Sequence, residues 1–210
     1  MGLNIKQQIE ILEGEYAALP SYSGDKKEGV DYINVNHNSE SVLGKRLAPS
    51  YNQSFPTFIG ECSSITNFMN AIKYEGYPLS LLNKWRVTEE QFNFRGAKQL
   101  DVPNYWSLVA YALCQKVKAD EELQKMMKEN ELPYTCFTTT VNKTFFNKSV
   151  MITQPKTSLA KYVAIIRHIQ NMLKEDRFTD THIEKFISDC KKFPEKDFLA
   201  GTCFKVVETK

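Results

Sequence analysis

The densest run of chemically useful side chains lies between Gly60 and Gly76. A turn, Gly60-Glu61-Cys62, leads into Ser64-Ile65-Thr66-Asn67-Phe68-Met69-Asn70-Ala71-Ile72-Lys73-Tyr74. Helical spacing puts Ile65, Phe68, Met69 and Ile72 on one stripe and leaves hydroxyl, amide and amine groups beside it. Glu61 and Glu75 stand at the two ends of the run. Elsewhere Arg46, Arg95 and Lys98 are candidates for holding an anion. A guanidinium offers phosphate a planar fork that an ammonium does not reproduce. In Phe94-Arg95-Gly96-Ala97-Lys98 the glycine allows close approach of the backbone. The competing reading of all these groups is an ordinary solvated surface. No Ser-His-Asp grouping, P-loop, G-x-G-x-x-G or H-E-x-x-H is present, which argues against the common catalytic classes. His37, His168 and His182 read as structural or solvated.

The elements that must position these groups follow from pattern. Ser63 or Ser64 can cap the helix, because a serine hydroxyl accepts from first-turn N–H groups, and Gly76 supplies a left-handed stop. Residues 31–37 alternate as a short strand, and 51–59 suit an edge strand or extended loop around Pro56. Residues 79–100 predict short helices and loops, and 104–128 a long helical pattern. The Thr-, Phe- and Val-rich stretch 132–153 predicts two strands joined near Asn142–Asn147. Residues 158–173 predict a helix with Leu159, Tyr162, Val163, Ile166, Ile169 and Leu173 on one face. Thr179 or Asp180 can cap another, bearing Ile183, Phe186, Ile187 and Cys190. Outside this set, Ile5, Ile9, Leu12 and Tyr16 mark a helix over 4–18, and Thr202–Val207 predicts a final strand. The expected fold is α+β, a small mixed sheet packed by helices. Residues 1–155 would form the domain and 156–210 a helical C-terminal extension packed on it.

Bulk properties narrow the class. A chain of 210 residues suits one domain, or one with an appendage. With 42% hydrophobic residues it can build a core, and a net charge of +2 is too small to argue for a general nucleic-acid binder. The five cysteines are odd in number and contain no C-x-x-C pair, so a reducing cytoplasm is expected, with neither disulfide nor metal site. The first residues lack the apolar core of a secretory signal. No apolar run approaches the ~20 residues needed to span a bilayer.

Taken in order, three segments resemble the NADAR superfamily, the YbiA-like group, and more particularly a divergent branch among small proteins of tailed phages. Ile33-Asn34-Val35 followed by Leu43-Gly44-Lys45-Arg46-Leu47 is similar to the branch's opening strand and "L-G-R-L-L-S" turn. Ser64 to Tyr74 resembles the family's "S-x-E-H-x-x-Q-A-x-K-F" helix, and Ala112 to Leu123 its "A-L-x-x-K-F-x-x-x-x-x-L" helix. Leu132 to Phe137 is similar to the branch's "L-P-x-T-H-Y" strand. The resemblance covers residues 31–150 or so.

The resemblance implies a compact α+β fold with a cleft for ADP-ribose-like or ribosylated-base compounds, and cleavage of N-glycosidic bonds without a cofactor. That chemistry passes through an oxocarbenium-like state, so a carboxylate near the anomeric carbon stabilises charge or activates water. The family's glutamate is matched here by Thr66 and its histidine by Asn67. A threonine hydroxyl carries no negative charge at neutral pH. The family's later Trp-Gly-Asp and Asn-x-Leu-Gly segment is also missing from 138–155. Ala71 and Lys73 match the helix motif, and Asn70 stands at its glutamine. The expected ligand set is therefore Arg46, Thr66, Asn67, Asn70, Lys73, Arg95 and Lys98. The expected function is a phage accessory or counter-defence protein of the host cytoplasm that binds an ADP-ribose-type ligand or a host protein. Two alternatives stand beside it: an active N-glycosidase using Glu61 or Glu75 as a relocated carboxylate, and a pure protein-interaction module.

Overall fold

A computed structural model of the chain describes residues 28–30, 32–145, 148–155 and 160–190, with backbone alone from 137 to 155 and at 160. The expected elements at 4–18 and 202–207, and Cys203, lie outside the described residues. The fold is α+β. In chain order the elements are β1 (Ile33–Asn34), α1 (Val42–Leu47), β2 (Phe55–Thr57), β3 (Gly60–Cys62), α2 (Ile65–Lys73), a short 3-10 turn (Leu79–Leu81), α3 (Tyr105–Lys118), α4 (Glu121–Glu129), β4 (Tyr134–Thr135), β5 (Phe137–Phe145), β6 (Lys148–Pro155), α5 (Ala160–Lys174) and α6 (Asp180–Asp189).

Instead of one mixed sheet, the described strands form three two-stranded ladders: β1 with β4 parallel, β2 with β3 antiparallel, β5 with β6 antiparallel. Local hydrogen bonding explains why β1 stays short. The Asn36 N–H turns back to Asn34 O at 2.9 Å, and Asn36 Oδ1 accepts from the Asn38 N–H at 3.1 Å, so the chain leaves the strand at once. The segment Leu43 to Leu47 is helical rather than a turn. The long pattern over 104–128 is two helices, broken where Asp120 in extended conformation caps α4 by accepting from the Leu123 N–H at 2.9 Å. Among the described residues no helix is long and apolar enough to cross a membrane.

The described residues divide into two compact units, each assembled from separated stretches: those within 28–45 and 131–167 form one, those within 46–130 and 168–190 the other. In the first unit β1 and β4 bury Ile33 and Tyr134, and Val35 N–H donates to Thr135 O at 2.8 Å. Gly44 lies so close to β1 that a Cβ there would run into Asn34 O and Ser39 Oγ. In the second unit α3 is buried nearly all round through Val109, Ala110, Ala112, Leu113, Cys114 and Val117. The helix α2, the β2–β3 hairpin, α4 and α6 pack against it. Cys62, Cys114, Cys136 and Cys190 are buried.

Candidate functional site

The helix α2 begins as its sequence dictates. Ser64 is extended (φ −162°, ψ 157°), and its hydroxyl accepts from the Asn67 N–H at 3.2 Å. At the other end the Tyr74 N–H bonds Asn70 O, and Gly76 takes φ 71°, a conformation that favours glycine. The chain then returns alongside the end of the helix. Glu75 N–H donates to Lys98 O at 3.0 Å and Leu100 N–H to Lys73 O at 2.7 Å.

This return path gathers aromatic rings. Tyr74 lies edge-on to Phe92 and Phe94, with centroids 5.9 and 5.5 Å away, and Tyr77 lies 5.1 Å from Phe92. Phe92 and Phe94 meet at 4.9 Å. Tyr74, Phe92 and Phe94 are partly exposed, so the cluster forms a shelf at the surface, and Tyr77 lies buried against it. Burial pushes the Tyr77 hydroxyl up to about 12; the nearby Asn70 side chain works against that rise and nearby Cys62 adds to it. Burial with Tyr74 alongside likewise raises Tyr105 to about 12. Both phenols are therefore neutral donors at physiological pH.

The expected site residues separate into two groups. Asn70, Lys73, Glu75, Arg95 and Lys98 border the shelf. Lys73 Nζ stands 5.6 Å from the centre of the Tyr74 ring, a cation–π distance. Lys98 Nζ and Glu75 Oε2 pair at 3.2 Å in solvent. Arg95 is exposed next to Phe94 in sequence, and its backbone N–H donates to Glu89 Oε1.

The second group is engaged elsewhere. Asn67 is buried, and its side-chain N–H groups donate to Ser63 Oγ (3.0 Å), Leu82 O (3.1 Å) and Lys84 O (2.6 Å), fastening the 81–84 loop to α2. Thr66 N–H donates to Pro49 O at 2.9 Å, and the residue is half-buried. Arg46 binds Glu122 at 2.6 Å and also Asp120. Burial opposes its charge, but those two carboxylates outweigh burial and raise its pKa. Glu61 sits on β3 and accepts from Ser54 Oγ at 2.5 Å.

Sequence reasoning missed the aromatic shelf and one buried cation, Lys116, which has no exposed surface. The signal for Lys116 was available: it sits seven residues after Val109 and three after Leu113, on the apolar stripe of α3. No family model matches the chain, nor does any curated protein or solved structure.

Proposed function

We propose that this chain is a NADAR-like protein that binds an ADP-ribose-type ligand against the end of α2 without hydrolysing it by the family's usual route. The observation that carries the reading is Lys73 Nζ beside the ring of Tyr74, which meets the partly exposed rings of Phe92 and Phe94, with Asn70, Arg95 and Lys98 on the adjoining backbone. An adenine ring stacks on an aromatic face, and a diphosphate needs cations and amide donors within reach of it. Thr66, at the family's acid position, supplies no carboxylate. The phage, counter-defence and host-cytoplasm setting belongs to the same proposal and rests on the family resemblance alone.

Isothermal titration with ADP-ribose tests the reading. The proposal expects saturable binding that weakens in Lys73→Gln and Arg95→Gln. Absence of heat at millimolar ligand rejects it.

A second reading, active glycoside cleavage, draws on Glu75, which borders the shelf, whereas Glu61 lies on the hairpin. Incubation with ADP-ribosylated nucleic acid separates the two. Release of free ADP-ribose that Glu75→Gln abolishes favours cleavage, and intact substrate favours binding alone.

A further inference from the structure

Lys116 belongs to neither the aromatic shelf nor the proposed ligand. Its Nζ donates to Arg46 O at 2.6 Å and lies 5.3 Å from the centre of the Tyr51 ring. Its backbone carbonyl accepts from Gln53 Nε2 at 3.2 Å. Both ends of this one residue therefore fasten the segment 46–53 to α3. The groups that face the amine come from three directions: Arg46 at the end of α1, Tyr51 in the segment itself, and Asp120 at the start of α4. The helices α2 and α6 and the strand β2 also pack on α3. Among the described residues they bring no charge that acts on the amine.

We propose that Lys116 is a proton-sensitive latch: closed, segment 46–53 seals the amine against the Arg46 carbonyl, and opened, it lets water reach the amine and stabilise its charge. The closed amine is poorly placed to hold a proton. Burial disfavours the charged form most, Asp120 favours it and Arg46 opposes it, leaving the group at about 7 instead of 10.5. The direction of the effect follows by linkage. Between about 7 and 10.5 the open state binds a proton that the closed state lacks, so closure tightens about tenfold for each pH unit gained. Below about 7 both states hold the proton, and the latch is at its loosest.

Hydrogen exchange on the full chain reads this out. Tyr51 N–H, bonded to Ala48 O, and Gln53 N–H, bonded to Ser63 O, report opening of the segment. Chemical exchange accelerates roughly tenfold per pH unit while closure tightens by the same factor. Their observed rates should therefore level off above about pH 7, while those of Ile33 and Val35 keep climbing. Loss of the plateau in Lys116→Met supports the latch. Continued climbing of the Tyr51 and Gln53 rates in the unsubstituted protein overturns it. If Lys116→Met fails to fold, Asp120→Asn serves in its place, since asparagine still caps α4. Removing the partner that favours the proton should start the plateau at lower pH, and an unmoved onset also overturns the proposal.

Discussion

Replacing Lys116 with methionine should stabilise this protein at neutral pH, although it removes a buried hydrogen bond. The amine is 0% exposed and titrates at about 7 when folded, against 10.5 in a free side chain. At 1.36 kcal/mol per pH unit, that difference amounts to about 5 kcal/mol against the folded state at about pH 7 and below. Methionine fills a similar volume without a charge. It leaves Arg46 O without its donor, a loss of about 1–3 kcal/mol. The net gain for Lys116→Met is therefore about 2–4 kcal/mol at pH 7 and below. The sign of the pH dependence is fixed by the depressed lysine. The unsubstituted protein gains stability as pH rises from about 7 towards 10.5, because the unfolded chain is the one losing protons there. The variant lacks this rise, so its advantage shrinks and becomes a deficit of about 1–3 kcal/mol near the upper end. Urea unfolding at intervals of pH, with the slope checked for constancy, measures this. Parallel stability curves for the two proteins between neutral and alkaline pH would refute the reasoning.

Three other substitutions, at two positions, test local packing. Asn67→Ala should destabilise by about 1–2 kcal/mol, because Leu82 O and Lys84 O each lose the Asn67 amide and keep only Ser63 as donor. Asn67→Asp should be at least as harmful, since a carboxylate would face those same carbonyl oxygens; urea midpoints rank the pair. Gly44→Ala should cost about 1–3 kcal/mol, because backbone must shift to admit the methyl beside Asn34 O. A melting temperature equal to that of the unsubstituted protein would contradict this.

Local rules made much of the fold legible. The Ser64 hydroxyl, the stripe from Ile65 to Ile72 and Gly76 announce α2 at both ends, and Thr179 precedes α6 as expected. The break at Asp120 was legible as well, since Asp-Glu-Glu-Leu is a capping residue followed by an acidic first turn. What pattern alone does not carry is partnership over distance. Arg46 finds its carboxylates 74 and 76 residues further on, and the amide of Asn67 meets a carbonyl 17 residues away. Neither residue type differs in sequence from a solvated arginine or asparagine. The aromatic shelf was hidden for the same reason. Phe92 and Phe94 come beside Tyr74 only through the returning backbone at Glu75–Lys98 and Leu100–Lys73. The same return path brings the backbone of Lys98 alongside Glu75 and that of Leu100 alongside Lys73.

Amide chemical-shift mapping during an ADP-ribose titration tests most directly whether the end of α2 receives a nucleotide-like ligand. The prediction is saturable shifts at Asn70, Lys73, Tyr74 and Phe92 to Lys98, with the 81–84 loop and the Lys116 surroundings undisturbed. Shifts confined to other parts of the chain, or none at millimolar ligand, would contradict it.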